Sequence, residues 1–277
     1  MEPKMKQVAV VGAGISGLVT ANAMQQQGYK VTVFEKASTI GESWERGTYY
    51  TGEVAQSVRK DYTFYGSDIP PLSGEWPDGE EMQEYLEAYA LKTGVHQLIS
   101  FQTNVQNVYS NASGWKISAR KDKENQYREL QFDAVVICTG MEWGSFSYWP
   151  LHRNIAVANS GSIGFVGMNG SLFFTLTAII AAHWMAAYLS GGIQLSTHQS
   201  TRYQPKQYNK RRQVSQLIHY LNQLLKDMGG KPPASSNLLF RLLGTPFKPG
   251  IYAALAKKLT NSHASLFHGP YSRSCFS

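Results

Sequence analysis

Residues 8–17 read VAVVGAGISG, and the chain runs on through a helix-like stretch to a second apolar strand that ends in an acid, VTVFEK at 31–36. Gly12, Gly14 and Gly17 complete G-x-G-x-x-G directly after a run of β-formers, and Glu35 stands 18 residues past the last glycine. Each part has a mechanical job. Gly12 permits a tight turn, Gly14 lets backbone approach a pyrophosphate, and Gly17 lets the helix pack close to the strand. The helix N-terminus offers free N–H groups and the positive end of its dipole to phosphates. A carboxylate at Glu35 accepts hydrogen bonds from a ribose diol and repels a 2′-phosphate. The stretch predicts strands at 8–11 and 31–35 around a helix at 15–27, a βαβ unit that binds an adenine dinucleotide.

Working outward, residues 41–79 are irregular and rich in Gly, Tyr, Pro and Ser, longer than an ordinary connection, which suits a ligand-covering segment. Asp78 has the place of an N-cap for a helix over 79–92, with Met82, Tyr85, Leu86 and Tyr89 on its apolar side and Gly94 after its end. Residues 99–109, 114–120 and 128–133 alternate apolar and polar positions and predict a three-stranded antiparallel meander. AVVICTG at 134–140 and IGFVG at 163–167 read as buried parallel strands. A helix over 172–190 has nearly the length of a membrane span, but its Thr175, Thr177, His183 and small residues favour a core helix, with His183 packed inside it. Val214, Leu217, Ile218, Leu221, Leu224 and Leu225 mark one face of an amphipathic helix. Residues 234–277 give no assignable period. The fold class is α/β: a Rossmann-like domain with a parallel sheet, an inserted three-stranded antiparallel meander, and C-terminal helices.

The chain has 277 residues, 43% hydrophobic and 16% charged, which excludes a disordered protein. Two cysteines give no disulfide framework, and Cys138 sits in an apolar strand as an inert thiol. MEPKMKQ passes straight into the first strand without the pattern of a signal peptide, so the expected home is the cytoplasm. Charge is uneven. Residues 201–277 hold twelve Lys/Arg and one acid, Asp227, whereas the first 200 carry a net −4. A basic end of this kind is a solvated face or a docking surface for an anionic partner. No nucleic-acid motif, metal-ligand set or transmembrane segment accompanies it.

Gly12–Leu18 with Glu35, Gly41-Glu42-Ser43-Trp44, QSVRKDYTFY at 56–65, PDGEEMQEYLEAYA at 77–90 and Cys138-Thr139-Gly140 together resemble the class B flavin-dependent monooxygenases, specifically the flavin-containing monooxygenases of bacteria and plants. The helix at 172–190 and YNKRRQVSQLIHYLNQLLKDMG are similar to that family's C-terminal portion. Glu42 departs from the family's Gly-Gly-x-Trp. Cys138-Thr139-Gly140 corresponds to the family's A-T-G, after which a second glycine fingerprint for NADPH should follow. Residues 141–162 contain neither it nor F-x-G-x-x-x-H, and their 22 residues fall short of the roughly thirty a βαβ unit needs.

The resemblance implies FAD as cofactor, with NADPH expected from the family but without a visible site. It implies oxygenation of soft nucleophiles, nitrogen or sulfur, through a flavin C4a-hydroperoxide. It assigns Gly12, Gly14, Ile15, Ser16 and Gly17 to the pyrophosphate end, Glu35 to the ribose with Lys36 beside it, and Trp44 to packing against FAD. Thr139 and Gly140 join this set, as does Asn169 in the turn Met168–Ser171, whose backbone N–H groups would face the flavin; Gln56 is a further candidate contact. No side chain is assigned an acid–base role. Residues 1–200 form the FAD-binding domain and 201–277 a basic helical extension packed on it. Three readings stand: a monooxygenase-type oxidoreductase acting on a small molecule, poor in NADPH use or served by an electron-donor protein; an inactive FAD-binding remnant or interaction protein; and an NAD-dependent dehydrogenase, for which Tyr89-x-x-Lys92 is one residue short of the needed spacing. The sequence carries no code for the substrate or the oligomeric state.

Overall fold

Val8 and Val10 face one buried layer and Ala9 and Val11 the opposite one, because the strand that carries them runs through the middle of a sheet covered on both sides. The computed structural model describes residues 6–41, 44, 59–65, 76–124, 126–140, 151–157, 162–168, 173–195, 210–233 and 249–267. In chain order the elements are β1 (Gln7–Val11), α1 (Ile15–Gln26), β2 (Lys30–Phe34), α2 (Gly79–Thr93), β3 (Ile99–Ser100), β4 (Thr103–Asn111), β5 (Gly114–Lys121), β6 (Arg128–Phe132) and β7 (Ala134–Ile137). They continue with β8 (Leu151–His152), β9 (Ala156–Val157), β10 (Ile163–Phe165), α3 (Phe174–Leu189), α4 (Lys210–Asp227) and α5 (Pro249–Phe267).

The main sheet has the order β3-β2-β1-β7-β10-β9-β8. From β3 to β10 it is parallel, with Val10 opposite Val33 on one side and Val136 on the other. The helices cover one face, where Leu18, Met24, Leu86, Ile180 and Trp184 are fully buried. The meander β4-β5-β6 covers the other through Trp115, Ile117 and Phe132, which pack with Phe34 and Phe165. The helix after Asp78 begins with a full capping box, Glu81 N–H donating to Asp78 and Asp78 N–H to Glu81, and ends on left-handed Gly94. Helix α3 is buried almost all round, between α1 on one side and α4 and α5 on the other. No described helix is long and apolar enough to cross a membrane.

Two readings need correction, and one interval left unassigned gains structure. The strand read at 99–109 is two strands: Gln102 takes φ 52°, the chain turns, and Ile99–Ser100 joins the parallel sheet beside Val33 and Phe34, leaving the meander to start at Thr103. Residues 249–267, which showed no period, form α5. Its Tyr252, Ala253, Ala256 and Thr260 are buried at helical spacing, but alanines dilute the apolar stripe, and the Pro249-Gly250 start reads as a breaker. Within 141–162, β8 and β9 form a hairpin, and β9 pairs antiparallel with β10.

Candidate functional site

The C-terminal ends of β1, β2, β7 and β10 meet where α1 begins, the crevice in which open α/β sheets bind ligands. Gly12 follows β1 at φ 102°, and a Cβ there would lie 2.7 Å from the Cys138 carbonyl. A Cβ on Gly17 would lie 1.9 Å from the Gly12 carbonyl, so helix and turn touch backbone to backbone. Gly14 differs. It is the N-cap of α1 without a side-chain cap, and a Cβ there meets nothing within 4 Å. The first turn of α1 has no acidic residue and its N-cap makes no side-chain hydrogen bond, so the helix itself does nothing to offset its N-terminal dipole; the Glu35 carboxylate from β2 accepts from Ala13 N–H just ahead of the cap. Ile15 and Ser16 are buried in that turn.

Glu35 is 6% exposed at the tip of β2. Its Oε2 accepts from Ala13 N–H at 2.6 Å and its Oε1 from Ala37 N–H at 2.9 Å. A carboxylate has about four acceptor positions, so roughly two remain for a diol. Lys36, next to it, is exposed. Gly41 donates to the Ala13 carbonyl at 3.3 Å, and Trp44 N–H donates to Gly41 at 2.7 Å, which ties the Trp44 loop to the glycine turn. The Trp44 ring meets Tyr62 edge-on at 5.7 Å. Thr139 is exposed and Gly140 has φ 84° with open space beside it, both just past β7. An uncapped helix start, an unfilled space above Gly14 and a buried carboxylate with spare acceptors fit an adenine dinucleotide.

The structure thus gathers Gly12, Gly14, Ile15, Ser16, Gly17, Glu35, Thr139 and Gly140 at one end of the sheet, with Trp44 linked through Gly41. Glu42, Ser43, Gln56 and Asn169 lie outside the described residues. Gly167 joins this end of the sheet without being singled out by the glycine fingerprint. It takes φ 96° after β10, and a Cβ there would lie 2.3 Å from Ser16 Oγ, so this turn closes on the first turn of α1. The strand-then-glycine pattern IGFVG held that signal. Two other groups are inert at this site: burial pushes the Cys138 thiol up to about 12, and burial, then the charge of Lys257, holds His183 down to about 4. The described residues contain no cluster suited to a metal ion.

Comparison with known proteins agrees with this geometry. The family described as flavin-binding monooxygenase-like matches residues 5–157. Flavin-containing monooxygenase 3 of Macaca mulatta is 28% identical over 148 residues, 49% of this chain and 27% of that protein. Dimethylaniline monooxygenase [N-oxide-forming] 2 of Cavia porcellus is 28% identical over the same shares. The matched stretch therefore spans about a quarter of these curated relatives. Among solved structures, S-allyl-L-cysteine S-oxygenase from Allium sativum superposes with a TM-score of 0.61 at 16% identity, covering 98% of this chain and 94% of that one. Tmm from a Pelagibacter strain superposes at 0.67 with 12% identity, covering 94% and 91%. At such identities these two share the fold.

Proposed function

We propose, from the premise that the chain belongs to the flavin-binding monooxygenase-like family, that it is an FAD-dependent oxidoreductase with the Gly12–Gly17 turn as its pyrophosphate cradle. The family uses FAD with NADPH. The observation that carries the reading is the pairing of an uncapped, acid-free α1 start over open space with a buried Glu35 that keeps acceptor capacity. Bound FAD supplies the redox chemistry. The chain's own part is to hold it: N–H groups of the first α1 turn at the pyrophosphate, Glu35 at the ribose with Lys36 alongside, and Trp44, Thr139 and Gly140 at its flanks. Asn169, four residues past β10 in sequence, is placed in the same set by the family resemblance. Residues 1–200 carry this cofactor site, and 201–277 pack on it as a basic helical extension.

The substrate class is a small soft nucleophile; the N-oxide-forming relatives support nitrogen as the accepting atom. Electron supply is the unusual part. Only ten residues separate Gly140 from Leu151, too few for a second βαβ cradle, which needs about thirty. NADPH therefore serves this flavin slowly, or an electron-donor protein replaces it, and oxygen is consumed largely as hydrogen peroxide. The same short connection favours a second reading, an FAD-holding protein without turnover.

The test is an absorption spectrum of purified protein, then anaerobic NADPH, then air. The first reading expects bound flavin, slow bleaching, and peroxide matching the NADPH consumed. A colourless protein that refuses FAD removes the cofactor reading. Fast reduction coupled to product removes the account of electron supply. Bound FAD that neither NADPH nor a one-electron donor reduces selects the second reading.

A further inference from the structure

The guanidinium of Arg153 makes paired hydrogen bonds to one carboxylate: Nε to Asp227 Oδ2 at 2.7 Å and Nη2 to Asp227 Oδ1 at 2.9 Å. Trp184 Nε1 donates to the same Oδ2 at 3.1 Å, and His152 Nε2 stands 3.8 Å from it. Tyr220 Oη donates to the Arg153 carbonyl at 3.0 Å. Arg153 lies in the β8–β9 turn, Trp184 on α3, and Tyr220 and Asp227 on α4, so the cluster ties α3 and α4 to the hairpin tip. Asp227 is also the sole acid among the 77 residues of the basic end.

The turn it grips is not one that a chain adopts freely. Arg153 and Asn154 take φ 56° and 55°, and Ile155 N–H closes the turn onto the His152 carbonyl at 3.0 Å. Asn is common in the left-handed region; a long side chain such as Arg is not, at a cost of about 1 kcal/mol or more. From this turn a short mechanical path leads to the nucleotide cradle. Phe165 N–H donates to the Ile155 carbonyl at 2.7 Å, and Asn154 and Ile155 line a shallow crevice with Gly167, Met168 and Tyr220. Two residues past Phe165, Gly167 packs against Ser16 in the first turn of α1.

We infer that Arg153, clamped by Asp227, is a positioning residue for the cofactor site: helix α4 holds the β8–β9 tip against β10 and so fixes the Gly167 turn on the start of α1. The clamp acts through backbone, without touching the ligand. Paired Arg–carboxylate geometry suits this role because it fixes orientation as well as distance, which a lysine cannot do. The inference rests on the FAD reading for its effect on affinity, but its structural half stands without any cofactor.

The test compares wild type with Asp227→Asn, Arg153→Lys and the milder Tyr220→Phe in two measurements. In hydrogen exchange on the ligand-free full chain, Asp227→Asn is expected to raise deuterium uptake at residues 163–168 at least tenfold in rate, with β1 and β2 unchanged. In FAD titration by flavin fluorescence, Kd is expected to rise about tenfold for Asp227→Asn, several-fold for Arg153→Lys, and about twofold for Tyr220→Phe. Wild type that binds no FAD sinks the proposed function, and exchange alone then decides this inference. Unchanged exchange at 163–168 in folded Asp227→Asn overturns the clamp. Raised exchange with an unchanged Kd reduces it to a fold staple and overturns the positioning role. Should Asp227→Asn fail to fold, Tyr220→Phe decides by the same two readouts.

Discussion

The two flanks of β7 grow from one parallel ladder and end in opposite electrostatic states. Towards β1, the chain turns through Gly12 and Gly14 into a helix with no cap side chain and no acid in its first turn, over open space. Towards β10, the chain turns through Arg153 and Asn154 into a hairpin whose charge is closed upon Asp227 and Trp184. Among the described residues no side chain caps the first turn of α1, which suits an anion site; at the second end the Arg153 and Asp227 charges pair with each other, which suits a structural joint, while the buried His152 Nδ1 beside them finds no partner among the described residues. The difference teaches where to seek a ligand in an open, largely parallel sheet. On the proposed function the ligand lies where a helix start carries no cap and no acid of its own, and not where charges are densest.

The largest expected effect breaks the cradle itself. Gly17→Ala places a methyl 1.9 Å from the Gly12 carbonyl, an overlap with backbone that no rotamer change relieves. We expect a loss of about 3 kcal/mol or more in urea denaturation. A near-neutral Gly17→Ala would mean that α1 does not sit this close to β1.

Acid sharpens the contrast on the other flank. Burial, then Lys257, holds His183 at about 4 against its ordinary 6.5, so as pH falls the unfolded chain takes up the proton first. Stability from this group is complete above 6.5 and lost towards 4, on the order of 3 kcal/mol. Denaturation at a series of pH values checks it: the fall across that window should vanish in His183→Gln. Asp227 gives a second, smaller step. Burial pushes its carboxyl up, but the His152 ring 3.8 Å away, the Arg153 hydrogen bonds and charge, and the Trp184 N–H outweigh that and bring it to about 2 from 3.8. Its contribution is complete above about 4 and lost as pH falls to 2, about 1–2 kcal/mol, and is absent in Asp227→Asn.

How much of this was legible depends on how local each signal is. Gly12 to Glu35 is a contiguous pattern in which turn, helix and strand cues agree, and α2 announces itself by Asp78, Glu81 and Gly94. The Arg153–Asp227 pair is separated by 74 residues and bears no period, and strands of two residues at 151–152 and 156–157 are too short to alternate. Ile99–Ser100 reads as part of the meander because alternation runs on through Gln102; the left-handed turn there, which separates the residues paired with β2 from those paired with β5, leaves no mark in the pattern. Gly167 shows as a glycine in sequence, but its reason, Ser16, comes from a distant helix.

The smallest stability effect separates binding from folding most sharply. Gly14 lies three residues before Gly17, yet a Cβ there meets nothing within 4 Å, and its φ of −80° is open to any residue. Gly14→Ala should keep ligand-free stability within about 1 kcal/mol of wild type, the small cost being that Ala is a poorer N-cap than Gly. Its methyl stands where a pyrophosphate needs to approach the backbone, so FAD affinity should fall at least tenfold in titration. Folding and binding then part company at adjacent glycines of one motif. If Gly14→Ala binds FAD as wild type does, the open space above Gly14 is not the phosphate site, and the contrast between the flanks of β7 loses its functional meaning.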